Sequence, residues 1–417
     1  MALTTTSFDV HDTTLRAFNI RNLKRIDWLM PILVLCLAAI GWATLYSASN
    51  TSNPLFFKRQ ILFFCAGLFV ALIIICVDYR LFVSLAPLMY AVVVLMLVGV
   101  LFAGEERKGS ERWLNLGLFS VQPSEFSKLA LIYMLAWYLG GLGNRIRKLH
   151  WFLLTFVIAG IPMVLILKQP NLGTALTLAP VVVIMLFAAG CRVWHMAALL
   201  IAAISIVPFV WFEMKGFEPS PPEYVAANYY GKLKIRDALR EQHEANRKPY
   251  DLHWHQKMRI YGYLHPESDK KESGWQTYQS MIAVGSGGLS GKGFLNSTQT
   301  RLKYLPEYHT DFIFSLLAEE RGFIGAAMVI ALFTAFLLRG LSFALDCPDM
   351  TGTLLAVGVV TILGFHVFIN MGITVGLLPV TGIPLPFLSY GGSFYSTTMV
   401  CVGILMNIPM RRKMFVY

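Results

Sequence analysis

The segment Leu81–Ala103, LFVSLAPLMYAVVVLMLVGVLFA, contains 23 consecutive residues without a charged side chain. A helix of about 20 residues, rising about 1.5 Å per residue, spans the roughly 30 Å hydrocarbon core of a bilayer. An uncharged apolar run of this length is typical of a membrane span rather than of a helix buried in a soluble domain. We therefore expect Leu81–Ala103 to cross a membrane.

The same pattern recurs along the whole chain. Its 417 residues are 56% hydrophobic and only 14% charged, with a mean hydropathy of +0.58, which exceeds what a soluble core requires. The predicted fold class is an all-α polytopic membrane protein with about ten transmembrane helices. The expected spans are Leu29–Tyr46, Ile61–Val77, Leu81–Ala103, Phe126–Leu142, Trp151–Leu167, Thr174–Ala189, Val193–Phe212, Phe312–Leu338, Leu354–Met371 and Gly392–Met410.

Basic residues at the ends of these spans predict the orientation of the chain. Lys24 and Arg25 precede the first span, and Arg411 and Arg412 follow the last. Because basic linkers remain in the cytoplasm, both termini are predicted to be cytoplasmic. An outer loop of about a hundred residues is too long for a simple connection and should fold onto the membrane surface. The predicted regions are tails at 1–28 and 411–417, helices 1–7 within 29–212, a large extracytoplasmic loop at 213–311 and helices 8–10 within 312–410.

Composition also argues against other classes of protein. The net charge of +11 does not indicate nucleic-acid binding, because the basic residues lie mostly in short linkers where membrane topology requires them. The six cysteines lie in or beside apolar segments without metal-type spacing, so no disulfide framework or zinc site is predicted. The run Leu29–Tyr46 follows a long polar lead, unlike a cleaved signal, and should be retained.

Two pairs of charged residues stand at the outer ends of expected spans. Lys58 and Arg59 lie on the side where the topology rule disfavours cations, which indicates either snorkelling anchors or anion binding. Glu125 and Lys128 follow a proline that opens a helix, and their spacing of three places them on one face. They fit either a structural ion pair or a substrate role for Lys128.

Asp311 immediately precedes the apolar run that begins at Phe312. It is expected to cap that helix, because an aspartate can accept hydrogen bonds from the free amides at the positive helix end. A cap could also serve as a base, since capping would hold the carboxylate still. Glu319 and Glu320 follow two turns later. They lie deep in the membrane if the helix is continuous, and at the interface if the span begins only at Gly322.

A glycine-rich segment, Ala283–Gly293, has the sequence AVGSGGLSGKG. It superficially resembles a nucleotide phosphate loop, but no strand precedes it and neither Ser nor Thr follows Lys292. The segment fits either a nest of amides that binds a diphosphate or a tight surface turn.

A second irregular segment, Gly376–Phe387, contains three prolines and two glycines and cannot be a regular helix. Irregular backbone at membrane depth must line a cavity or be covered by protein, so residues 372–391 are predicted to be re-entrant or cavity-lining. His366 and Asn370, on the preceding span, fit helix–helix contacts better than ligand binding.

Several of these residues belong to motifs of a known family. Nearly end to end, the sequence resembles the SEDS glycosyltransferases, and within them the RodA-type cell-elongation members. The motifs that carry the resemblance are Gln122–Glu125 with Lys128, Gln169–Pro170 with Leu172–Thr174, Gln279–Ser280 with Ile282–Ala283, Leu305–Glu307 with His309–Phe314, Ala318–Glu320, and Leu378–Val380 through Ser389–Ser393.

The resemblance implies a peptidoglycan glycosyltransferase that polymerises lipid II during cell elongation, at the outer face of the bacterial inner membrane. It implies a class B penicillin-binding transpeptidase and other elongation-complex proteins as partners, and a divalent cation, Mg²⁺ or Mn²⁺, with unknown ligands. Asp311 takes the position of the family's essential aspartate. Substrate binding is predicted for Lys58, Arg59, Glu125, Lys128, Gln279, Ser286, Lys292, Glu307 and His309.

Two features depart from the family pattern. Asn171 stands where the family often has aspartate, which puts a charge-dependent role at that position in doubt. The stretch near Tyr229–His255 is inserted relative to shorter members.

The expected chemistry requires one base. A sugar hydroxyl must attack an anomeric carbon that bears a diphosphate-lipid, and the diphosphate leaves readily once cations neutralise it. We expect Asp311 to be the base, and Arg59 and Lys128, with the divalent ion, to hold the diphosphate. The competing functions are a flippase of the lipid-linked precursor, which would need access from both faces of the membrane, and a non-catalytic scaffold.

Overall fold

The computed structural model describes residues 26–51, 54–103, 105–107, 110–115, 120–169, 171–215, 217, 229–246, 254–264, 273–302, 304–305 and 307–411. Over these residues the chain is mostly helical. The helices are α1 (Leu29–Thr51), α2 (Leu55–Cys76), α3 (Tyr79–Ser84), α4 (Ala86–Ala103), α5 (Pro123–Leu142), α6 (Leu149–Lys168), α7 (Leu172–Ala188), α8 (Val193–Met214), α9 (Tyr229–Asn246), α10 (Trp254–Leu264), α11 (Ser273–Ser286), α12 (Thr298–Arg301), α13 (Ile313–Leu345), α14 (Met350–Thr374) and α15 (Gly392–Met410).

Nine of the ten expected spans coincide with one apolar helix each. The expected continuous span Leu81–Ala103 is wrong, because the chain turns at Leu85 between α3 and α4 and Pro87 lies in the first turn of α4. Eight of the apolar helices, α1, α2, α5, α6, α8, α13, α14 and α15, are long and apolar enough to cross a membrane, and α4 and α7 are shorter apolar helices. Large apolar side chains such as Leu95 and Phe102 are exposed on the outside of the bundle, where lipid replaces water. The prediction of an all-α polytopic membrane protein is confirmed.

The linker between α4 and α5 forms a small antiparallel sheet that the sequence did not predict. Its strands, in spatial order, are β1 (Glu105–Arg107), β2 (Ser110–Asn115) and β3 (Ser120–Val121). Helix α5 begins at Pro123, two residues after β3, as expected for proline in a first helical turn. The sheet therefore leads directly into the turn that carries Glu125.

Helix α13 is broken at Gly322, whose φ of 64° and ψ of −164° are not helical. Residues 313–321 thus form a separate helical segment before the long apolar part of α13. Glu319 and Glu320 precede the break, yet they are only 0% and 2% exposed. Neither predicted alternative therefore holds. The break at Gly322 excludes one continuous span, and the burial of both glutamates by other parts of the protein excludes a solvated position at the interface.

The irregular segment between α14 and α15, residues 375–391, lies inside the bundle over residues 385–389. Phe387 and Leu388 are fully buried. A Cβ on Gly41 of α1 would lie 2.6 Å from the Phe387 carbonyl oxygen, so this close approach requires glycine. The Phe387 ring also packs against Phe336 of α13, with 5.4 Å between ring centroids. Protein therefore covers the non-helical backbone of residues 385–389, whereas Leu377 near the start of the segment is exposed.

Polar contacts hold the end of the bundle that lies away from Asp311. Arg339 of α13 donates to Asp27 through Nε at 3.1 Å, and this hydrogen bond lowers the pKa of Asp27. Tyr79 donates its hydroxyl to Asp349 at 2.5 Å, and Arg80 lies 3.3 Å from the same carboxylate. These contacts join the residues preceding α1 and α14 to helices distant in sequence.

The described parts of the linker between α8 and α13 form four helices, α9 to α12. An aromatic cluster of Phe217, His243, Trp254 and Tyr261 packs α9 against α10, with 5.7 Å between the ring centroids of His243 and Trp254. The inserted part of the linker therefore packs against α10. An ion pair of 3.0 Å between Lys257 and Glu213 ties α10 to the end of α8.

Candidate active site

Asp311 lies in a turn, residues 307–312, that leads into α13. Its backbone N–H donates to the Glu307 carbonyl at 3.1 Å, and Glu307 itself has a φ of 54°, a left-handed conformation that non-glycine residues rarely adopt. The N-cap of α13 is Phe312, one residue after Asp311. The prediction that Asp311 caps this helix is therefore wrong, and the turn itself fixes the residue.

Two side chains from the C-terminal part of the chain donate hydrogen bonds to backbone carbonyls of the Asp311 turn. Asn370 of α14 donates through Nδ2 to the Asp311 carbonyl at 2.9 Å and to the Ile383 carbonyl at 2.7 Å. The Ser389 hydroxyl donates to the Thr310 carbonyl at 2.6 Å. The contact predicted for Asn370 was between helices, but its side chain instead connects the Asp311 turn to segment 375–391, and neither of these is helical.

The Asp311 carboxylate faces a glycine of the same segment. Its Oδ2 atom is 3.6 Å from the position that a Cβ on Gly382 would take. Gly382 has a φ of +73°, which a residue with a side chain would adopt only with strain. Glycine at this position therefore leaves the space in front of the carboxylate open.

A cation of the long linker interacts electrostatically with the same carboxylate. Arg259 is half-buried on α10, where burial lowers the pKa of its guanidinium and the Asp311 carboxylate opposes that shift. Tyr263, one turn later, donates its hydroxyl to the Leu377 carbonyl at 2.9 Å and docks α10 on segment 375–391. Arg259 could not be predicted from the sequence, because nothing near it in the chain separates it from other linker cations.

The first turns of α2 lie against the Asp311 turn. The Phe56 ring stacks on His309 with 4.6 Å between centroids and an interplanar angle of 16°. Gln60 is buried and donates to the Ser389 carbonyl at 3.1 Å. Lys58 and Arg59, between these two contacts in sequence, have exposed side chains. Both predicted cations therefore lie on α2, the helix that contacts His309 two residues before Asp311.

Glu125 and Lys128 form an ion pair inside the bundle. Lys128 Nζ lies 2.8 Å from Glu125 Oε2, and the two residues are only 2% and 5% exposed, respectively. Lys128 Nζ is also 3.1 Å from Nε2 of His366. Because a charged lysine only donates, Nε2 accepts, and Nδ1 of His366 carries the proton donated to the Pro384 carbonyl at 3.1 Å. The pair is therefore linked to segment 375–391 through one histidine.

The glycine-rich segment packs against the start of α13. The backbone N–H of Lys292 donates to the Glu319 carbonyl at 3.0 Å, and that of Gly293 donates to the Glu320 carbonyl at 3.1 Å. Lys292 Nζ lies 2.6 Å from Glu319 Oε1, which also accepts from the Thr298 hydroxyl at 2.7 Å. These amides and this ammonium group bind protein oxygens, so the segment covers the two buried glutamates beside the Gly322 break.

The remaining predicted substrate-binding residues occupy different surroundings. Gln279 is buried on α11. Ser286 is exposed, and its hydroxyl donates to the Ala283 carbonyl at 2.9 Å. Glu307 Oε2 accepts from the Thr310 hydroxyl at 3.3 Å within the Asp311 turn. Asn171 caps α7 by accepting from the Thr174 N–H at 3.3 Å, so its amide has a structural role.

Comparisons with known proteins agree with this architecture. A model of the FtsW/RodA/SpoVE family, described as "cell cycle protein", matches residues 27–414. The chain is 36% identical over 392 residues to stage V sporulation protein E of Bacillus subtilis, covering 92% of this chain and 96% of that protein. It is 34% identical over 436 residues to peptidoglycan glycosyltransferase RodA of Treponema pallidum, covering 94% and 99% of the two chains.

A solved structure shares the fold. It is described as showing the structural coordination of polymerization and crosslinking by a peptidoglycan synthase complex, and one of its chains matches with a TM-score of 0.71 at 28% identity. The match covers 92% of this chain and 97% of that one. The chain therefore belongs to the FtsW/RodA/SpoVE family, the SEDS family of the sequence resemblance, and is a membrane glycosyltransferase.

Proposed function

We propose that this protein polymerises lipid II into glycan strands as an elongation-type peptidoglycan glycosyltransferase of the bacterial inner membrane. The observation that carries the proposal is the placement of Asp311, whose backbone is fixed from α14 and segment 375–391 while its carboxylate lies beside Gly382 and interacts electrostatically with Arg259. The basic residues at both chain ends favour cytoplasmic termini and a site on the extracytoplasmic face.

In the proposed reaction, the Asp311 carboxylate accepts the proton of an acceptor sugar hydroxyl as the hydroxyl oxygen attacks the anomeric carbon of the donor. The bond between that carbon and the diphosphate oxygen breaks, and its electron pair leaves with undecaprenyl diphosphate. A single displacement of this kind inverts the anomeric centre. A positioned base contributes roughly 10²- to 10⁴-fold to the rate of such a step.

The leaving diphosphate requires positive charge near the Asp311 carboxylate. Arg259 supplies it from the long linker, and Lys58 and Arg59 supply it from the exposed start of α2. Lys128 is buried against Glu125 and His366, so its predicted contact with the diphosphate would require the substrate to reach the interior of the bundle. Its substrate role stays a prediction.

A divalent cation also stays a prediction from the family resemblance. The part of the chain that the structure describes contains no group of three or more His, Cys, Asp or Glu side chains able to hold a metal. Mg²⁺ commonly binds through one or two carboxylates together with substrate phosphates, and Asp311 offers one carboxylate. We propose that the Asp311 carboxylate would help to hold such a cation when substrate is bound, and that the cation would supply charge neutralisation for the diphosphate.

A transpeptidase of the class B penicillin-binding type is the proposed partner. The structurally similar chain comes from a complex that coordinates polymerization and crosslinking, and this supports the proposal. The long linker, with its four helices, supplies a surface beside the site on which a second protein could bind. The elongation type is proposed on the motif pattern and on the RodA relative.

Purified protein with a transpeptidase partner is expected to convert lipid II into glycan strands in detergent, with EDTA lowering the yield and added Mg²⁺ restoring it. The measurement is strand length on denaturing gels. Detergent micelles have no two sides, so a flippase alone would make no polymer. Absence of strands from a folded, partner-bound sample would therefore contradict the polymerase proposal. Strand synthesis that persists in EDTA would contradict only the proposed requirement for a divalent cation.

Replacing Arg259 by glutamine is expected to lower kcat/KM for lipid II about tenfold, because a charge-assisted contact near the leaving diphosphate is lost. The measurement is the initial rate of strand synthesis against lipid II concentration. Arg240→Gln on α9 removes the same charge from an exposed position of the linker and should change little. If both variants have the same kcat/KM, Arg259 does not contribute to binding the diphosphate.

A further inference from the structure

A groove between α1 and α13 opens to the lipid-facing side of the bundle. Its volume is about 430 Å³. Ile40 of α1 and Ile324 and Met328 of α13 line its apolar part, and both α13 side chains are more than half exposed. Thr44 and Arg321 line the end nearer to the Asp311 turn. The groove therefore has a polar end at one level of the membrane and an apolar floor that runs toward the bilayer centre.

Arg321 is the cation at the polar end of this groove. Its guanidinium lies over the Phe294 ring, 5.3 Å from the centroid, and its side chain is exposed. A Cβ on Gly325 would lie 2.3 Å from the Cβ of Arg321, so the glycine makes room for the arginine stem. None of the ion pairs between described residues includes Arg321. Its charge is thus available to a ligand in the groove.

The charges at the groove match a ligand with one negative charge. Arg321 is the one basic residue among the described residues that line it. The neighbouring Glu320 is buried and accepts a hydrogen bond from the Ser47 hydroxyl. A carboxylate beside the arginine disfavours a multiply charged diphosphate, whereas a phosphodiester brings the single charge that one guanidinium can bind through two N–H groups.

The depth of the groove matches a lipid that stands in the bilayer. Met328 follows Arg321 by seven residues, or roughly 10 Å of helix at 1.5 Å per residue. A phosphate at Arg321 would place its acyl chain along Ile324 and Met328. We propose that this groove binds an anionic diacyl phospholipid, such as phosphatidylglycerol, with the phosphate on Arg321 and one acyl chain on the apolar floor.

The full-length protein in detergent, titrated with phosphatidylglycerol or phosphatidylcholine and followed by native mass spectrometry, tests this site. Wild type should bind phosphatidylglycerol more tightly, and Arg321→Gln should weaken that binding about fivefold, as expected for one arginine at a membrane surface. Binding of phosphatidylcholine should not change. Arg301→Gln removes an exposed cation of α12 that does not line the groove, and should leave both lipids unaffected.

A second pair of variants tests the apolar floor. Met328→Trp fills the groove and should displace phosphatidylglycerol, whereas Ile330→Trp enlarges an exposed residue of α13 outside the groove and should not. Unchanged phosphatidylglycerol affinity in both Arg321→Gln and Met328→Trp would overturn the site. Equal affinity of wild type for the two phospholipids, or a larger effect of Arg321→Gln on undecaprenyl phosphate than on phosphatidylglycerol, would overturn the proposed ligand.

Discussion

Replacing Asp311 by asparagine is expected to reduce lipid II polymerisation about a hundredfold or more, because the amide cannot accept the hydroxyl proton. The fold should survive. Two backbone hydrogen bonds hold residue 311 and do not depend on its carboxylate: the N–H donates to Glu307, and the carbonyl accepts from Asn370. The measurement is strand synthesis from lipid II in detergent with the partner present, alongside thermal unfolding of the same sample.

The matched control for this variant is Asp237→Asn, which changes an exposed carboxylate on α9 in the same way. It should polymerise lipid II at the wild-type rate. Full activity of Asp311→Asn would show that this carboxylate is not the base, and it would also agree with the scaffold alternative. A fall in activity that merely tracks a fall in unfolding temperature would make Asp311 a structural residue.

The second large effect is expected at the buried pair of Glu125 and Lys128. Lys128→Met leaves the Glu125 carboxylate buried without its cation, and such losses cost about 3–5 kcal/mol of folding stability. Glu125→Gln should be less severe, because the lysine keeps its contact with His366. Thermal unfolding of both variants in one detergent measures the difference, with Lys148→Met as an exposed control.

The double variant Glu125→Gln/Lys128→Met separates the two roles of the pair. With both charges absent, no ion remains buried, and much of the lost stability should return. If Lys128 also binds the diphosphate, as predicted, polymerisation should stay low in this stable variant. Recovery of activity together with stability would show that the pair only locks α5 in place.

The sequence was informative where local chemistry alone determines structure. Uninterrupted apolar runs fixed the fold class, and the prolines between Gly376 and Phe387 excluded a helix there. The pairing of Glu125 with Lys128 followed from their spacing on one helix. In each case the residues that decide the outcome are close in sequence.

The contacts that the sequence missed join residues far apart in the chain. Arg259 interacts electrostatically with Asp311 across 52 residues of sequence, and Tyr263 of the same helix docks α10 on segment 375–391. Lys292 pairs with Glu319, 27 residues away, which no local pattern of glycines reveals. The cap prediction for Asp311 failed for a local reason. Helix α13 starts one residue later than expected, so its N-cap is Phe312.

The hydrogen bonds from Asn370 and Ser389 to the Asp311 turn also bear on biogenesis. These donors lie 59 and 78 residues downstream of Asp311, so a nascent chain exposes the turn before the residues that hold it have been synthesised. The reactive carboxylate can reach its final position only after α14 and segment 375–391 have entered the membrane. A chain terminated after α13 would carry Asp311 without a formed site, so activity cannot begin before segment 375–391 has been synthesised.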